Sequence, residues 1–268
     1  TVTSNLNKVN RRILTLGILI IFTSCKTINK YAKSELPKID DSKNLYAFIG
    51  KKISVIEFDP NNPIRTRIEI DSITTDTLRY ESYVMDNGFK CKYVVERNLY
   101  NQIKSDTVEF KAYDHYGRPG FENYDEIVLY LSKNDEGNYY HRKYQFDPIF
   151  LDARKRYYSY PKFLGNGYLE SANNLNSIKM KFPKNERFNI SNISEIGIKS
   201  YYPNNYYRIE KQYAYPIRAM FLEELIEFRL RTTFKDLRGK TAGNNVYSSL
   251  LFSCLNQNYG IFGKSPNF

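Results

Sequence analysis

The stretch richest in groups that can move protons is Tyr113-Asp114-His115-Tyr116-Gly117-Arg118-Pro119-Gly120. An aspartate beside a histidine can orient an imidazole for general-base work, and a tyrosine can donate a proton. His141 follows Tyr139-Tyr140 and precedes Arg142-Lys143. Together with His115 and Asp114 it would make a minimal metal site. Catalytic zinc takes three protein ligands, and the spacing here matches no local ligand motif. The chain has only two His and three Cys, which excludes multi-histidine and multi-cysteine centres. No Gly-x-Ser-x-Gly elbow accompanies the loop, and no activating motif flanks Cys91 or Cys254. A DxDxDG calcium loop is absent as well. Sequence neighbours in an extended chain point to opposite faces, while Asp, Gly and Pro serve turns in their own right. The stretch therefore reads as an architectural loop, with Asp114, His115 and His141 as minor catalytic candidates. The sequence calls for no cofactor and no metal.

A second group with possible chemistry is Arg154, Lys155 and Arg156 followed by Tyr157, Tyr158 and Tyr160. Basic residues interleaved with aromatic ones suit single-stranded nucleic acid or glycan surfaces. The simpler expectation is a solvated basic edge that discourages strand pairing. The functional alternative is a grip on lipopolysaccharide phosphates or peptidoglycan carboxylates through arginine forks.

The elements that must position these groups are strands. Phe48–Phe58, Thr66–Ile73, Leu78–Met85, Phe89–Leu99, Thr107–Tyr113, Ile127–Leu131 and Tyr139–Phe146 carry period-two patterning or β-rich composition, with turn signals between them. Ile127-Val128-Leu129-Tyr130-Leu131 is continuously apolar and reads as a central strand. This pattern predicts a mainly β fold, an antiparallel OB-like barrel or sandwich over residues 46–160. Pro161, Gly165 and Gly167 mark a seam. Beyond it, residues 161–268 are expected to add strands at Ile178–Phe182 and Glu195–Tyr202 and two C-terminal helices, either as part of the same domain or beside it. One helix is expected to start at Pro216, with Ile217, Met220, Phe221, Leu225 and Phe228 on its apolar stripe. The second is expected from Asn245 to Gly260.

The amino-terminal segment bears on location. Lys8, Arg11 and Arg12 precede ten uncharged residues, Ile13–Phe22, and then Thr23-Ser24-Cys25. A basic region, a short apolar region and small residues at a cut site make a secretory signal over residues 1–25. The apolar run falls short of the roughly 20 residues that span a bilayer. Phe22-Thr23-Ser24-Cys25 resembles the lipobox of bacterial lipoproteins; three of its four positions fit, and Phe22 stands where that family usually has Leu. The resemblance implies cleavage before Cys25, diacylglycerol on its sulfur, and a membrane anchor through that lipid. Lys26 is not the Asp that holds such proteins in the inner membrane of enteric bacteria, and no acidic surface-export motif follows. The implied location is the outer membrane, periplasmic face. Residues 26–45 read as a flexible polar tether. Cys91 and Cys254 are either two buried free thiols or a disulfide, which the periplasm permits.

Phe48–Val55, Lys92–Val95 leading to Ser105–Phe110, and Glu126–Leu131 also look like the strand order of netrin-like OB domains, the fold of tissue inhibitors of metalloproteases. The same stretch is similar to Gram-negative lipoproteins of unassigned function, a resemblance that transfers no activity.

Composition bounds the rest. With 41% hydrophobic and 26% charged residues, the 268-residue chain is no disordered tail. Its 25 Tyr and 17 Phe, without Trp, mark a tyrosine-rich globular core. Forty basic residues against 29 acidic ones give +11; removing Lys8, Arg11 and Arg12 with the signal lowers 40 to 37 and the charge to +8. An exported protein rarely meets nucleic acid, so an envelope protein or glycan is the expected partner. The sequence thus favours a lipid-anchored, non-enzymatic binding or scaffolding module of the cell envelope over two alternatives. One is a periplasmic hydrolase or inhibitor-type module using the Asp114-His115 loop; the other is an immunity protein against a toxin.

Overall fold

The computed structural model describes residues 35–40, 42–163 and 175–237. It is mainly β, with several antiparallel sheets. In chain order the first half runs β1 (Tyr46–Phe58), the hairpin β2 (Arg65–Ile70) and β3 (Thr77–Ser82), β4 (Asn87–Tyr100), β5 (Thr107–Asp114), a 3₁₀ turn at Gly120–Asn123, β6 (Glu126–Lys133) and β7 (Tyr139–Pro148). Strands β1, β4, β5, β7 and β6 pair in that order, and β6 returns to β1, so the pairings close into a ring. Each junction is antiparallel except β5–β7, where Phe110 and Lys111 lie beside Tyr139 and Tyr140.

Period-two alternation accounts for the ring. Phe89, Cys91 and Tyr93 of β4, Val108, Phe110 and Ala112 of β5, and Ile127, Leu129 and Leu131 of β6 all join one buried cluster. Alternate side chains of a strand share a face, so this cluster fills the space the ring encloses, with Phe121 of the 3₁₀ turn added to it. Gly50 marks a close approach: a Cβ there would sit 2.8 Å from the Phe48 ring and 3.1 Å from the Tyr93 ring. The pairing of β1 with β4 shifts register at that point, between Ile49 and Gly50.

The second half covers the outside of β1 and β6. It comprises β8 (Phe150–Leu151), β9 (Tyr157–Ser159), β10 (Ile178–Lys179), β11 (Phe188–Asn189), helix α1 (Glu195–Tyr201), β12 (Tyr207–Glu210), β13 (Tyr213–Pro216), β14 (Arg218–Phe221) and helix α2 (Leu222–Arg231). Ala47, Ile49, Val128 and Tyr130, the alternate residues of β1 and β6, pack in a second cluster with Met220, Leu222, Leu225, Ile226 and Phe228. Strand β6 is therefore covered on both faces, which is why its sequence is apolar without a break.

Several expectations are corrected. Glu195–Tyr201 is a helix, not a strand: Ser194 Oγ accepts from Gly197 N at 3.2 Å, and Glu195 and Lys199 lie at the ends that suit their charges. The later helix begins at Leu222 rather than Pro216. Pro216 closes β13, and Arg218–Phe221 is held as β14 by β9 and β10 on its two sides. Residues 26–45 are described only from residue 35, and there Leu36 packs against the second cluster and Leu45 is buried within it. The helix expected over residues 245–260, Cys254 and the signal segment with Cys25 lie outside the described residues. Among the described residues no helix is long and apolar enough to cross a membrane.

Candidate functional site

The Asp114-His115 loop leaves β5 beside the middle of β7, at Lys143 and Tyr144, and the start of β4. Asp114 and His115 diverge, as neighbours at a strand end do. Asp114 is buried, and its Oδ1 accepts from Tyr116 N at 2.8 Å. Burial raises its pKa, against that hydrogen bond and the Lys143 charge. His115 turns outward and is half exposed; its Nδ1 lies 3.4 Å from Asp86 Oδ1. Both Asp86 oxygens also accept from the Lys143 ammonium, each at 2.7 Å. The Tyr144 hydroxyl accepts from the His115 backbone N–H at 3.4 Å. Burial raises the Tyr144 pKa well above its usual value, with Asp114 and Asp86 adding to the shift. The Tyr144 backbone is left-handed, at φ 65°, and its ring faces the Tyr116 ring with centroids 6.0 Å apart. The corner thus joins an imidazole, an ammonium, a carboxylate and two phenols. Asp86 is the carboxylate that His115 and Lys143 share.

His141 has different surroundings. It is buried, its ring 4.6 Å from that of Phe121 and 6.2 Å from that of Phe110. Its Nε2 lies 2.9 Å from the Gln145 carbonyl, which makes Nε2 the protonated nitrogen of a neutral ring. Burial pushes its pKa down to about 3, the Arg142 charge assisting and the Gln145 carbonyl opposing. His115 pairs with Asp86 while His141 packs among ring-core aromatics. Among the described residues no three His, Cys, Asp or Glu side chains form a metal-binding group. Cys91 is a buried thiol of the ring core, pushed up to about 12 mainly by burial, so it is held as the unreactive S–H form.

The basic stretch is a hairpin turn between β8 and β9. Asp152 organises it: Oδ1 accepts from Arg154 N at 2.8 Å and Arg156 N at 2.9 Å, and Oδ2 accepts from Arg156 Nε at 2.9 Å. The Arg156 guanidinium lies over the Phe221 ring at 4.0 Å. Tyr158 is buried against Phe150 and Phe182, and the Tyr157 hydroxyl donates to Glu126 at 3.5 Å. Arg154 and Lys155 are exposed at the turn, with Lys155 left-handed at φ 58°. Of the five candidate binding residues, two therefore face water and three are engaged in packing or hydrogen bonds.

A further polar group has no counterpart among the sequence candidates. Asp147 of β7 is buried against Arg229 of α2, accepts from the Tyr130 hydroxyl at 2.8 Å, and lies 3.9 Å from Lys162. Burial opposes the Asp147 charge, but Arg229, Lys162 and the hydrogen bonds outweigh it and hold the pKa below the usual carboxylate value. Lys162 donates to the Phe146 carbonyl at 2.7 Å, and burial brings its pKa down to about 8. The hydroxyls of Tyr160 and Tyr124 both donate to the Glu186 carboxylate, at 3.0 and 3.5 Å. An arginine inside an apolar helical stripe was the one available signal for this group.

Comparison with family models, with curated proteins and with solved structures finds no match for the chain.

Proposed function

We propose that the chain is a lipid-anchored, non-enzymatic binding or scaffolding module of the cell envelope, built on an OB-type barrel. The ring of five strands, with one parallel junction closing it, supports the OB-type reading. The observation that carries the binding reading is where apolar surface is displayed. Of the fourteen exposed large hydrophobic side chains among the described residues, ten lie in one excursion of the chain, Ile53–Met85. It comprises the distal part of β1, the β2–β3 hairpin and the return to β4. Clustered exposed apolar side chains mark interaction surfaces. In an OB fold the connection between the first two barrel strands is one of the loops that contact ligands, and this excursion occupies that connection. The acid–base candidates give less support to an enzyme, because Asp114 caps a turn, His141 is neutral in the core and His115 shares Asp86 with Lys143.

The anchor rests on the lipobox-like Phe22-Thr23-Ser24-Cys25. Acyl chains supply the membrane affinity of such a protein, since each buried methylene adds about 0.8 kcal/mol. In a Gram-negative host, the wild-type chain should sediment with outer membranes and Cys25→Ala should appear in the soluble periplasmic fraction. Equal membrane retention of the two would overturn the anchored reading.

A further inference from the structure

Strands β2 and β3 pair only with each other among the described residues, so the hairpin has an open strand edge on either side. At its tip Asp71 N donates to Asp76 O at 2.9 Å. Antiparallel ladders alternate between facing residues that exchange both hydrogen bonds and facing residues that exchange none. Counted back from Asp71 in the observed register, the backbone groups of Glu69 and Arg67 address β3. Those of Ile70, Ile68 and Thr66 point away from it, toward the open edge.

We propose that this edge pairs with the same edge of a second copy of the chain, β2 antiparallel to β2, on a two-fold axis at Ile68. In that register Ile68 faces Ile68 of the other copy, and Thr66 faces Ile70, so the outward amides and carbonyls meet one another. Arg67 faces Glu69 and Arg65 faces Asp71; the two-fold axis repeats each pair, and no like charges meet. These charged residues occupy the non-hydrogen-bonded positions, where facing side chains come closest, and opposite charges there favour pairing. The register is specific. A slip of two residues, the smallest that keeps the outward backbone groups matched, sets Arg67 against Arg67 or Glu69 against Glu69. The Arg67–Glu69 contact within each β2 joins two surface side chains, so it can be exchanged for the contact between copies.

The hairpin has reason to take such a partner. A two-stranded hairpin is marginal alone in water, and Ile68 and Ile70 are 66% and 72% exposed. Pairing makes a four-stranded sheet in which Ile68 and Ile70 of both copies adjoin on one face. A six-residue edge buries less than a permanent dimer does, so the association is weak and depends on concentration. The use made of it, clustering copies held on one membrane, rests on the anchored reading; the pairing itself does not.

Sedimentation velocity of the purified full chain over a dilution series tests it without a membrane, so its result is separate from that of the anchor. The wild type should move from monomer to dimer as concentration rises. Glu69→Arg places like charges at two facing positions and should weaken the dimer at least about tenfold. The double variant Arg67→Glu/Glu69→Arg restores opposite charges and should restore the dimer. Arg79→Glu, on β3, should leave it unchanged. Circular dichroism confirms that each variant is folded. A wild type monomeric at every soluble concentration, association indifferent to Glu69→Arg, a double variant that stays monomeric, or a dimer lost with Arg79→Glu would each overturn the proposal.

Discussion

The guanidinium of Arg229 grips the carboxylate of Asp147 in a two-pronged contact across 82 residues of chain, with Nε 3.0 Å from Oδ2 and Nη2 against Oδ1. Neither side chain has appreciable surface in water, at 1% and 0% exposure. The pair fastens α2 to β7 and so joins the outer layer to the ring. Two charges out of water hold their position only with their remaining hydrogen-bonding groups met. Here the Tyr130 hydroxyl donates to Asp147, and Arg229 also donates to Thr233 Oγ1 at 3.1 Å.

Removing one partner strands the other. Arg229→Met should lower unfolding stability by about 3–5 kcal/mol, the usual cost of breaking a buried ion pair. The double variant Asp147→Leu/Arg229→Met removes both charges and should lose less than the sum of the two single variants. Urea titrations of the four proteins measure the coupling. Additive losses would show that the contact contributes nothing as a pair.

Stability should fall with acid, in a window set by His141. Its folded pKa, about 3, lies below the ordinary 6.5. Between those values the unfolded chain holds more protons than the folded one. The stability due to a neutral His141 is therefore complete above about pH 6.5 and is lost progressively as pH falls toward 3. Asp147, also lowered, adds a loss of the same sign below about pH 3.9, the ordinary carboxylate value. His141→Leu should flatten the dependence between pH 6.5 and 4 while leaving the loss below it. A His141→Leu variant whose stability falls between pH 7 and pH 4.5 as steeply as that of the wild type would contradict the buried neutral ring.

Leu225 and Phe221 should respond differently to a charge. Leu225 is fully buried on α2, so Leu225→Asp puts an uncompensated carboxylate in the second cluster and should cost several kcal/mol. Phe221 is half-buried at the start of α2 beneath the Arg156 guanidinium. Phe221→Asp gives up that cation–ring contact and aromatic packing but places an acid beside Arg156, and should cost clearly less. Thermal melts of the two variants decide it; equal losses would mean that Arg156 does not compensate.

The sequence made the ring legible because each of its strands buries one alternating set of side chains in a single core, as Ile127, Leu129 and Leu131 do. It misled where alternation had another cause. Ile196 and Ile198 flank Gly197 in a strand-like pattern, yet Ser194 caps a helix there and Ile196 is 76% exposed. Ile68 and Ile70 alternate as a half-buried strand should, but among the described residues no layer lies beneath that face, and they are exposed. The Asp147–Arg229 contact could not be read in advance, because 82 residues separate partners that only the packing of α2 onto the ring brings together. The Asp114–Gly120 loop was legible as a turn, while its tie to Asp86 and Lys143 depends on the end of β5 meeting the start of β4 and the middle of β7.

In the same loop, an architectural role and a catalytic one have opposite consequences for Gly117, Gly120 and His115. Gly117 has φ +124° with open space where a Cβ would go, so Gly117→Val should cost about 1–2 kcal/mol through backbone strain alone. Gly120 is constrained by a neighbour instead: a Cβ there lies 3.1 Å from the Phe146 ring, and Gly120→Val should cost about 1–3 kcal/mol through overpacking. His115→Ala removes a half-exposed side chain from Asp86 and leaves Lys143 on both carboxylate oxygens, so its effect on stability should stay within about 0.5 kcal/mol. An architectural loop therefore gives losses at both glycines and almost none at His115, with no change in turnover of esterase, glycosidase or peptidase substrates. A catalytic His115 gives the opposite pattern, a folded His115→Ala protein that has lost an activity the wild type displays. Assaying both proteins on the same substrate panel, with their melting temperatures measured alongside, separates the two. Any wild-type turnover abolished in a well-folded His115→Ala variant would replace the binding module with an enzyme whose imidazole is positioned by Asp86.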